Sequence, residues 1–136
     1  ISEHVQVDFE LRGCPINKYQ LLELVTSLLI GRKPKMPTYS VCMECKQRDT
    51  TCVIVSKEIP CLGPVTQAGC GAICPAYNRG CYGCFGPMEQ PNAEALGQQF
   101  LSMGASADEV VRLFRNFNGY SDAFRVASDR FEEVNS

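Results

Sequence analysis

Residues 42–84 read CMECKQRDTTCVIVSKEIPCLGPVTQAGCGAICPAYNRGCYGC and contain all but one of the nine cysteines in this 136-residue chain. From residue 38 to residue 91 the sequence has no sustained period of 2 or 3.6 residues and is rich in glycine and proline. Such a segment has too little continuous apolar surface to build an ordinary core. We therefore expect it to fold around bound metal.

The cysteine spacing favours metal ligands over disulfides. Cys42/Cys45 and Cys81/Cys84 are CxxC pairs, which place two thiolates on one turn where both reach a single metal or cluster. Disulfide frameworks suit small secreted chains with an even cysteine count and an export signal. Here the count is odd and we recognise no export signal. The other cysteines of the stretch are Cys52, Cys61, Cys70 and Cys74, and Cys14 lies apart.

Cysteine number alone leaves the metal open, since eight thiolates suit two [4Fe-4S] clusters or two zinc ions. Local sequence favours iron. The Cys70-x3-Cys74-Pro75 run is similar to the end of a bacterial ferredoxin motif, and nearby glycines let backbone amides approach cluster sulfurs. We expect three aromatic residues to shield a cluster from water: Tyr77, Tyr82 and Phe85. His4, the single histidine, is expected to be an exposed strand residue and not a ligand.

The N-terminal residues predict the edge of an α/β layer. Apolar and polar side chains alternate over residues 4–11, which indicates a strand with one buried face. After the turn at Gly13, Pro15 opens a predicted helix whose apolar stripe continues to Gly31. The only other β-like run, residues 52–55, is very short, so the remaining strands must come from elsewhere. Residues 32–37 form a basic, proline-broken linker whose charge we expect to be solvated.

Helical patterning returns after residue 91. A short helix is predicted from Pro91 or Asn92 through Leu101, and Gly104 ends it. Ser106 and Glu109 have the spacing of a capping box for a second helix, predicted to continue through Phe117 to the Asn118-Gly119 stop. A last helix carries apolar residues on one side, which we interpret as packing positions: Phe124, Ala127 and Phe131.

Composition excludes several classes of function. A length of 136 residues suits one domain, and a net charge of −2 gives no electrostatic reason to expect a nucleic-acid partner or an anionic membrane surface. The longest apolar stretch, residues 24–30, is interrupted by Thr26 and Ser27 and is far too short for a membrane span.

Two stretches carry a resemblance to a known family. Residues 61–76, CLGPVTQAGCGAICPA, and residues 79–87, RGCYGCFGP, resemble the small subunit of [NiFe]-hydrogenases, in particular its cytoplasmic sulfhydrogenase delta type and methanogen relatives. The turn at residues 10–15, ELRGCP, resembles a Gly-Cys-Pro turn that this family shares with a small subunit of respiratory complex I. The resemblance covers nearly the whole chain and is most specific at residues 61–87.

The resemblance implies ligands for three clusters. Cys14 matches the last ligand of a proximal cluster, whose other three ligands belong to an N-terminal flavodoxin-like domain that has no counterpart in this sequence. A distal [4Fe-4S] cluster would be held by Cys42, Cys45, Cys52 and Cys61, and a medial one by Cys70, Cys74, Cys81 and Cys84. Cys74 stands where relatives with a three-iron medial cluster have Pro, so its thiolate should complete a [4Fe-4S] site. The ferredoxin analogy would instead assign Cys74 to the other cluster.

The resemblance also implies a fold and a function. Residues 1–37 would be the edge of a flavodoxin-like domain, an α/β remnant of one strand plus a helix. Residues 38–91 would be an irregular segment that binds two clusters, and residues 92–136 a helical cover. The chain would relay electrons in the cytoplasm between the nickel-iron site of a large subunit and partner subunits that bind flavin, NAD(P) or further iron-sulfur clusters. Two alternatives stay open: an iron-sulfur subunit of another oxidoreductase, polyferredoxin-like or related to complex I, and a zinc-binding interaction module.

Overall fold

The computed structural model describes residues 1–135, a range that is mostly helical and contains no β-sheet. Isolated bridges pair Ser40 with Gln67 and Thr66 with Pro87. None of the helices in this range is long and apolar enough to cross a lipid bilayer. The helices are α1 Lys18–Leu29, α2 Val41–Gln47, α3 Val53–Lys57, a 3-10 helix Gly63–Val65, α4 Ile73–Ala76, α5 Ala93–Ser102, α6 Ala107–Phe114 and α7 Asp122–Asn135.

The last three helices pack into an apolar core. Four phenylalanine side chains are almost completely buried there, and Leu62 and Val65 from the 3-10 region join them. The predicted positions Phe124, Ala127 and Phe131 all face this core. Burial of one such aromatic ring contributes roughly 1.5–3 kcal/mol relative to an exposed ring. The phenylalanines are Phe100, Phe114, Phe124 and Phe131.

The predicted start of α5 and the predicted capping box of α6 are confirmed. The Asn92 side chain accepts the Ala95 N–H at 3.2 Å, and both bonds of the Ser106–Glu109 capping box are present. The prediction that α6 continues to Phe117 is wrong, because α6 ends at Phe114. The Arg115 guanidinium turns toward α7, where it donates to the Ser128 hydroxyl at 3.2 Å. Phe117 is exposed and makes an edge-to-face contact with Tyr82.

The predicted strand over residues 4–11 does not form. Val5, Val7 and Phe9 are exposed, and the described residues supply no neighbouring strand. A lone strand leaves its N–H and C=O groups without ladder partners, so an alternating pattern is not sufficient to form one. Residues 52–55 also differ from the β-like prediction, since most of them belong to α3. Gly13 and Ile16 form one isolated bridge.

Helix α1 forms as predicted, although it begins at Lys18, three residues after Pro15. The Asn17 side chain caps it by accepting the Tyr19 N–H at 2.8 Å. The linker charge is not fully solvated, because Arg32 forms an ion pair with Glu23 at 2.9 Å. The apolar stripe of α1 is exposed at Leu21, Leu22, Val25, Leu28 and Leu29.

The middle of the chain is less irregular than predicted, because α2, α3 and α4 are short helices within it. Its interior is small. One buried cluster of this segment has five members, of which two are thiols, Cys61 and Cys81, and the others are Val41, Val53 and Ala72. The shortage of apolar interior inferred from the sequence is therefore present in the fold.

Substitution of Gly97 in α5 tests the packing of the C-terminal core. A Cβ at this position would lie 2.2 Å from the ring of Phe131, which is buried. Alanine normally stabilises a helix interior relative to glycine by about 1 kcal/mol. We expect Gly97→Ala to destabilise instead, by about 1–3 kcal/mol through overpacking, as measured by denaturant unfolding. Gly97→Ala combined with Phe131→Leu should recover part of the loss, and a stabilising Gly97→Ala would contradict the contact.

The capping box predicts a pH effect. The pKa of Glu109 is lowered below its ordinary 4.5, first by the Ser106 N–H and then by the Ser106 hydroxyl. A lowered folded-state pKa contributes stability that is present above pH 4.5 and is lost as the pH falls through the folded value. The stability difference between the parent and Glu109→Gln should therefore shrink below about pH 4.5 in acid unfolding curves. Glu89→Gln is the control, since Glu89 is exposed and outside any helix.

Candidate cluster-binding site

The fold gathers the cysteines of residues 42–84 into one region and brings Cys14 to its edge. All nine cysteines are free thiols. Cys61 and Cys81 are buried, Cys14 and Cys52 are exposed, and the rest are half-buried. Short helices carry several of them: Cys42 and Cys45 lie on α2, Cys52 caps α3 and Cys74 lies on α4. The remaining cysteines lie in loops.

One group comprises Cys42, Cys45, Cys52 and Cys61. Gly63 leaves open the space beside two of these thiols, because a Cβ at Gly63 would lie 3.3 Å from the Sγ of Cys61 and 3.6 Å from the Sγ of Cys42. Burial is the main cause that raises the pKa of Cys45 to about 11, and the neighbouring thiols of Cys42, Cys61 and Cys52 contribute to the same shift. The four side chains predicted as distal ligands are therefore neighbours.

A second group comprises Cys70, Cys74, Cys81 and Cys84. Burial raises the pKa of Cys84, and the thiols of Cys74 and Cys14 add to that shift. Burial likewise raises the pKa of Cys70, opposed by the amides of Ala72 and Ile73 and reinforced by the neighbouring Glu44 and Cys84. Cys70, Cys74 and Cys84 thus lie in one neighbourhood, Cys14 approaches it on the Cys84 side, and Cys81 adjoins both Cys61 and Cys70.

A close backbone approach joins the two groups. A Cβ at Gly80 would lie 1.9 Å from the carbonyl oxygen of Pro60, so only glycine permits this contact. Beside it the Cys81 N–H donates to the Sγ of Cys61 at 3.1 Å, and the Leu62 N–H donates to the Cys81 carbonyl at 3.0 Å. The buried cysteines of the two groups therefore share one wall of the site.

Burial and backbone amides act on these thiols in opposite directions. Burial raises the pKa of Cys81 to about 12, although the Gly83 N–H, 3.4 Å from its sulfur, acts to lower it. The Gly63 and Cys81 amides likewise act to lower the pKa of Cys61. At neutral pH these thiols hold their protons until a metal displaces them. The amides are then placed to stabilise the resulting thiolates.

This donor set fits iron-sulfur clusters, because eight neighbouring thiols with N–H groups directed at buried sulfurs are the kind of ligands that such clusters use. Within residues 1–135, no three His, Cys, Asp or Glu side chains form a compact site for one metal ion. Each thiolate of a cluster binds a different iron atom. Cluster ligands are consequently more widely spaced than the ligands of a single ion.

The three aromatic residues predicted to shield a cluster differ in their burial. Phe85 is buried, whereas Tyr77 and Tyr82 are exposed. The Phe85 ring packs against Gly13 and Gly69, where an added Cβ would lie 2.9 Å and 2.7 Å from ring atoms. Phe85 therefore fills the space between the turn that carries Cys14 and the loop that carries Cys70. Tyr82 packs edge to face against Phe117 and keeps 39% of its surface exposed.

Sequence reasoning missed three polar side chains that contact the backbone around Cys70. Glu44 accepts the Gly69 N–H at 2.9 Å, Arg48 donates to the Gly71 carbonyl at 2.8 Å, and Asn17 donates to the Gly69 carbonyl at 2.6 Å. The available signal was the spacing of Glu44, which lies inside the first CxxC pair, and Arg48, four residues later. That spacing places the two on one face of a helix but does not indicate what they contact.

Comparison with known proteins connects this site to hydrogenases. The chain is 38% identical over 117 residues to the delta subunit of sulfhydrogenase 2 from Pyrococcus furiosus, a match that covers 86% of this chain and 49% of that protein. It is 30% identical to a subunit of the F420-non-reducing hydrogenase from Methanocaldococcus jannaschii, over 82% of this chain and 41% of the relative. It is 29% identical to the iron-sulfur subunit of the F420-non-reducing hydrogenase from Archaeoglobus profundus, over 82% and 43% respectively.

No family model matches the chain. The matched relatives are about twice as long as the part that this chain covers. By sequence the chain belongs with the hydrogenase subunits of the sulfhydrogenase type, of which it spans about half the length or less.

Proposed function

We propose that this chain is the cluster-binding part of a [NiFe]-hydrogenase small subunit and that it relays electrons through two [4Fe-4S] clusters. The observation that carries the proposal is the gathering of eight free thiols in one region, with backbone amides directed at the sulfurs of Cys61 and Cys81. The similarity to hydrogenase subunits, one of them named an iron-sulfur subunit, supports the same role.

The proposed ligands follow the two groups. Cys42, Cys45, Cys52 and Cys61 would hold the distal cluster, and Cys70, Cys74, Cys81 and Cys84 the medial cluster. Cys74 is assigned to the medial group because its thiol acts electrostatically on Cys84. It also acts on Cys61, so its position near the shared wall keeps the two groups in mutual contact.

When bound, such clusters accept and release single electrons. The polypeptide supplies the surroundings of the ligand sulfurs. The Cys81 and Gly83 amides donate to the sulfurs of Cys61 and Cys81 and would stabilise negative charge there. Phe85 and the buried wall at Gly80 exclude water from part of the site. Amide donors and burial both affect a cluster's reduction potential.

Residues 1–37 are proposed to complete a flavodoxin-like domain that holds the proximal cluster. Cys14 would be its last ligand and lies on the Cys84 side of the site, next to the proposed medial group. The exposed apolar stripe of α1 and the exposed Val5, Val7 and Phe9 are surfaces that such a domain would cover. Residues 38–91 would then form the two-cluster segment, with residues 92–136 as its helical cover.

The proposed partners are a large subunit with the nickel-iron site, where hydrogen would be activated, and subunits that bind flavin, NAD(P) or further iron-sulfur clusters. This chain would perform no proton chemistry of its own. We place the complex in the cytoplasm, as the resemblance to the sulfhydrogenase delta type implies.

Iron removal should affect residues 38–91 more strongly than the C-terminal helices. The full-length protein, purified without oxygen, should contain iron and acid-labile sulfide in equal amounts, at least about eight of each per chain. Stripping the iron should increase amide hydrogen exchange across residues 38–91, because metal binding supplies much of that segment's folding free energy. Protection of α5 and α7 should persist, since they have an apolar core of their own.

A colourless protein with about two zinc ions per chain would contradict the cluster proposal and support the zinc module. Disulfides linking these cysteines, or unchanged exchange after complete metal removal, would also overturn it. Recovery of the iron-containing protein without any nickel-containing partner would favour another oxidoreductase.

Cys81→Ser tests the medial ligand set. Cys81 is buried at the shared wall, so its loss should abolish or convert one cluster and release up to roughly half of the iron held by residues 42–84. Hydrogen-driven reduction of the acceptor should fail, while hydrogen/deuterium exchange at the nickel site continues in the assembled complex. Tyr82→Phe is the matched control, because it changes the adjacent, exposed residue. Acceptor reduction at the parent rate in Cys81→Ser would refute the assignment.

A further inference from the structure

Helix α2 holds the loop that carries Cys70 from both sides. The Glu44 carboxylate accepts the N–H of Gly69, the residue before Cys70, at 2.9 Å. The Arg48 guanidinium donates to the carbonyl of Gly71, the residue after Cys70, at 2.8 Å. Glu44 lies on α2, the helix that also carries the first CxxC pair, and Arg48 is the C-cap residue directly after that helix. They therefore connect ligands of one group to a ligand of the other.

The loop needs such external contacts because its own backbone is permissive. Gly69 has φ of +145° and Gly71 has φ of +73°, conformations that glycine adopts at little cost. The same freedom means that local preference does not determine where Cys70 lies. Neither glycine has a side chain that could anchor the loop by packing. Side chains from the neighbouring helices instead contact the backbone groups on each side of Cys70.

The chemistry of the two contacts indicates a positioning role. A hydrogen bond that involves a charged partner is roughly twice as strong as a neutral one. Glu44 and Arg48 supply one such contact each, to an N–H and to a carbonyl respectively. The second carboxylate oxygen of Glu44 lies 3.8 Å from the Sγ of Cys70, too close for the sulfur position and the carboxylate to be independent.

We propose that Glu44 and Arg48 form a clamp that positions Cys70 as a cluster ligand, so that the helix of the distal group determines the geometry of the medial group. The proposal rests on the proposed function and extends it to two residues that are not ligands. Its distinctive consequence is that changes on α2, beside Cys42 and Cys45, affect the cluster held by residues 70–84.

The test uses full-length subunit purified anaerobically as the parent, Glu44→Ala, Arg48→Ala and Glu44→Gln. Gln47→Ala is the matched control, because Gln47 is an exposed residue of the same helix. Four quantities are measured: iron per chain, the rate of iron release to a ferrous chelator, the electron paramagnetic resonance spectrum of the reduced protein, and the midpoint potential of each cluster. Spectra of Cys45→Ser and Cys81→Ser identify which signal belongs to which cluster. The signal lost in Cys45→Ser is the Cys45-dependent signal, and the cluster whose signal is lost in Cys81→Ser is the Cys81-dependent cluster.

We expect the two alanine variants to release iron from the Cys81-dependent cluster roughly 10- to 100-fold faster than the parent, the usual effect of losing a partner that orients a ligand. The Cys45-dependent signal should remain. Glu44→Gln should restore iron retention, because its amide oxygen still accepts the Gly69 N–H. It should also shift the midpoint potential of the Cys81-dependent cluster upward, because a negative charge beside that cluster is gone.

Unchanged iron release in both alanine variants would overturn the clamp while leaving the proposed function intact. Loss confined to the Cys45-dependent signal would overturn it as well, since the effect would then be local to α2. Failure of Glu44→Gln to restore retention would exclude positioning through the Gly69 N–H. A parent protein that holds no iron-sulfur cluster would overturn the proposed function and the clamp together.

Discussion

The structure of residues 38–91 depends on burying thiols in a segment that has little else to bury. Cys61 and Cys81 take the places that aliphatic side chains occupy in an ordinary core, and burial raises the pKa of both. A buried thiol without a metal is merely a small apolar group, whereas a buried thiolate needs a positive partner and hydrogen-bond donors. The amides of Cys81 and Gly83 already supply donors. The proposed clusters would supply the missing positive partner.

Glycine allows the two groups of thiols to form one site. At Gly80 the chain passes so close to Pro60 that no side chain fits, and at Gly63 the absence of a side chain keeps the space beside Cys42 and Cys61 open. Each position costs conformational entropy on folding. The apolar core of α5–α7, which includes Leu62 and Val65, anchors one side of this arrangement. An ordinary core thereby supports a segment that could not fold by apolar burial alone.

Sequence patterns were reliable where a local contact decides the structure. The capping box at Ser106 and Glu109 and the buried stripe of Phe124, Ala127 and Phe131 depend on residues three or four positions apart, and both form as predicted. The strand over residues 4–11 failed because a strand depends on a neighbour, which the described chain does not supply. The end of α6 was also missed, because Arg115 turns to partners on α7 that periodicity does not include.

The order of amino acids was enough to show that the middle of this protein is rich in thiols and poor in apolar periodicity, and that its cysteines resemble those of hydrogenase small subunits. Spacing and composition are local properties, so they are visible without a fold. The folded chain was needed to show which thiols are neighbours, which are buried, and that Glu44 and Arg48 reach the loop around Cys70. Those contacts join residues more than twenty positions apart. Their geometry follows from the path of the backbone through permissive glycines, which no short-range pattern records.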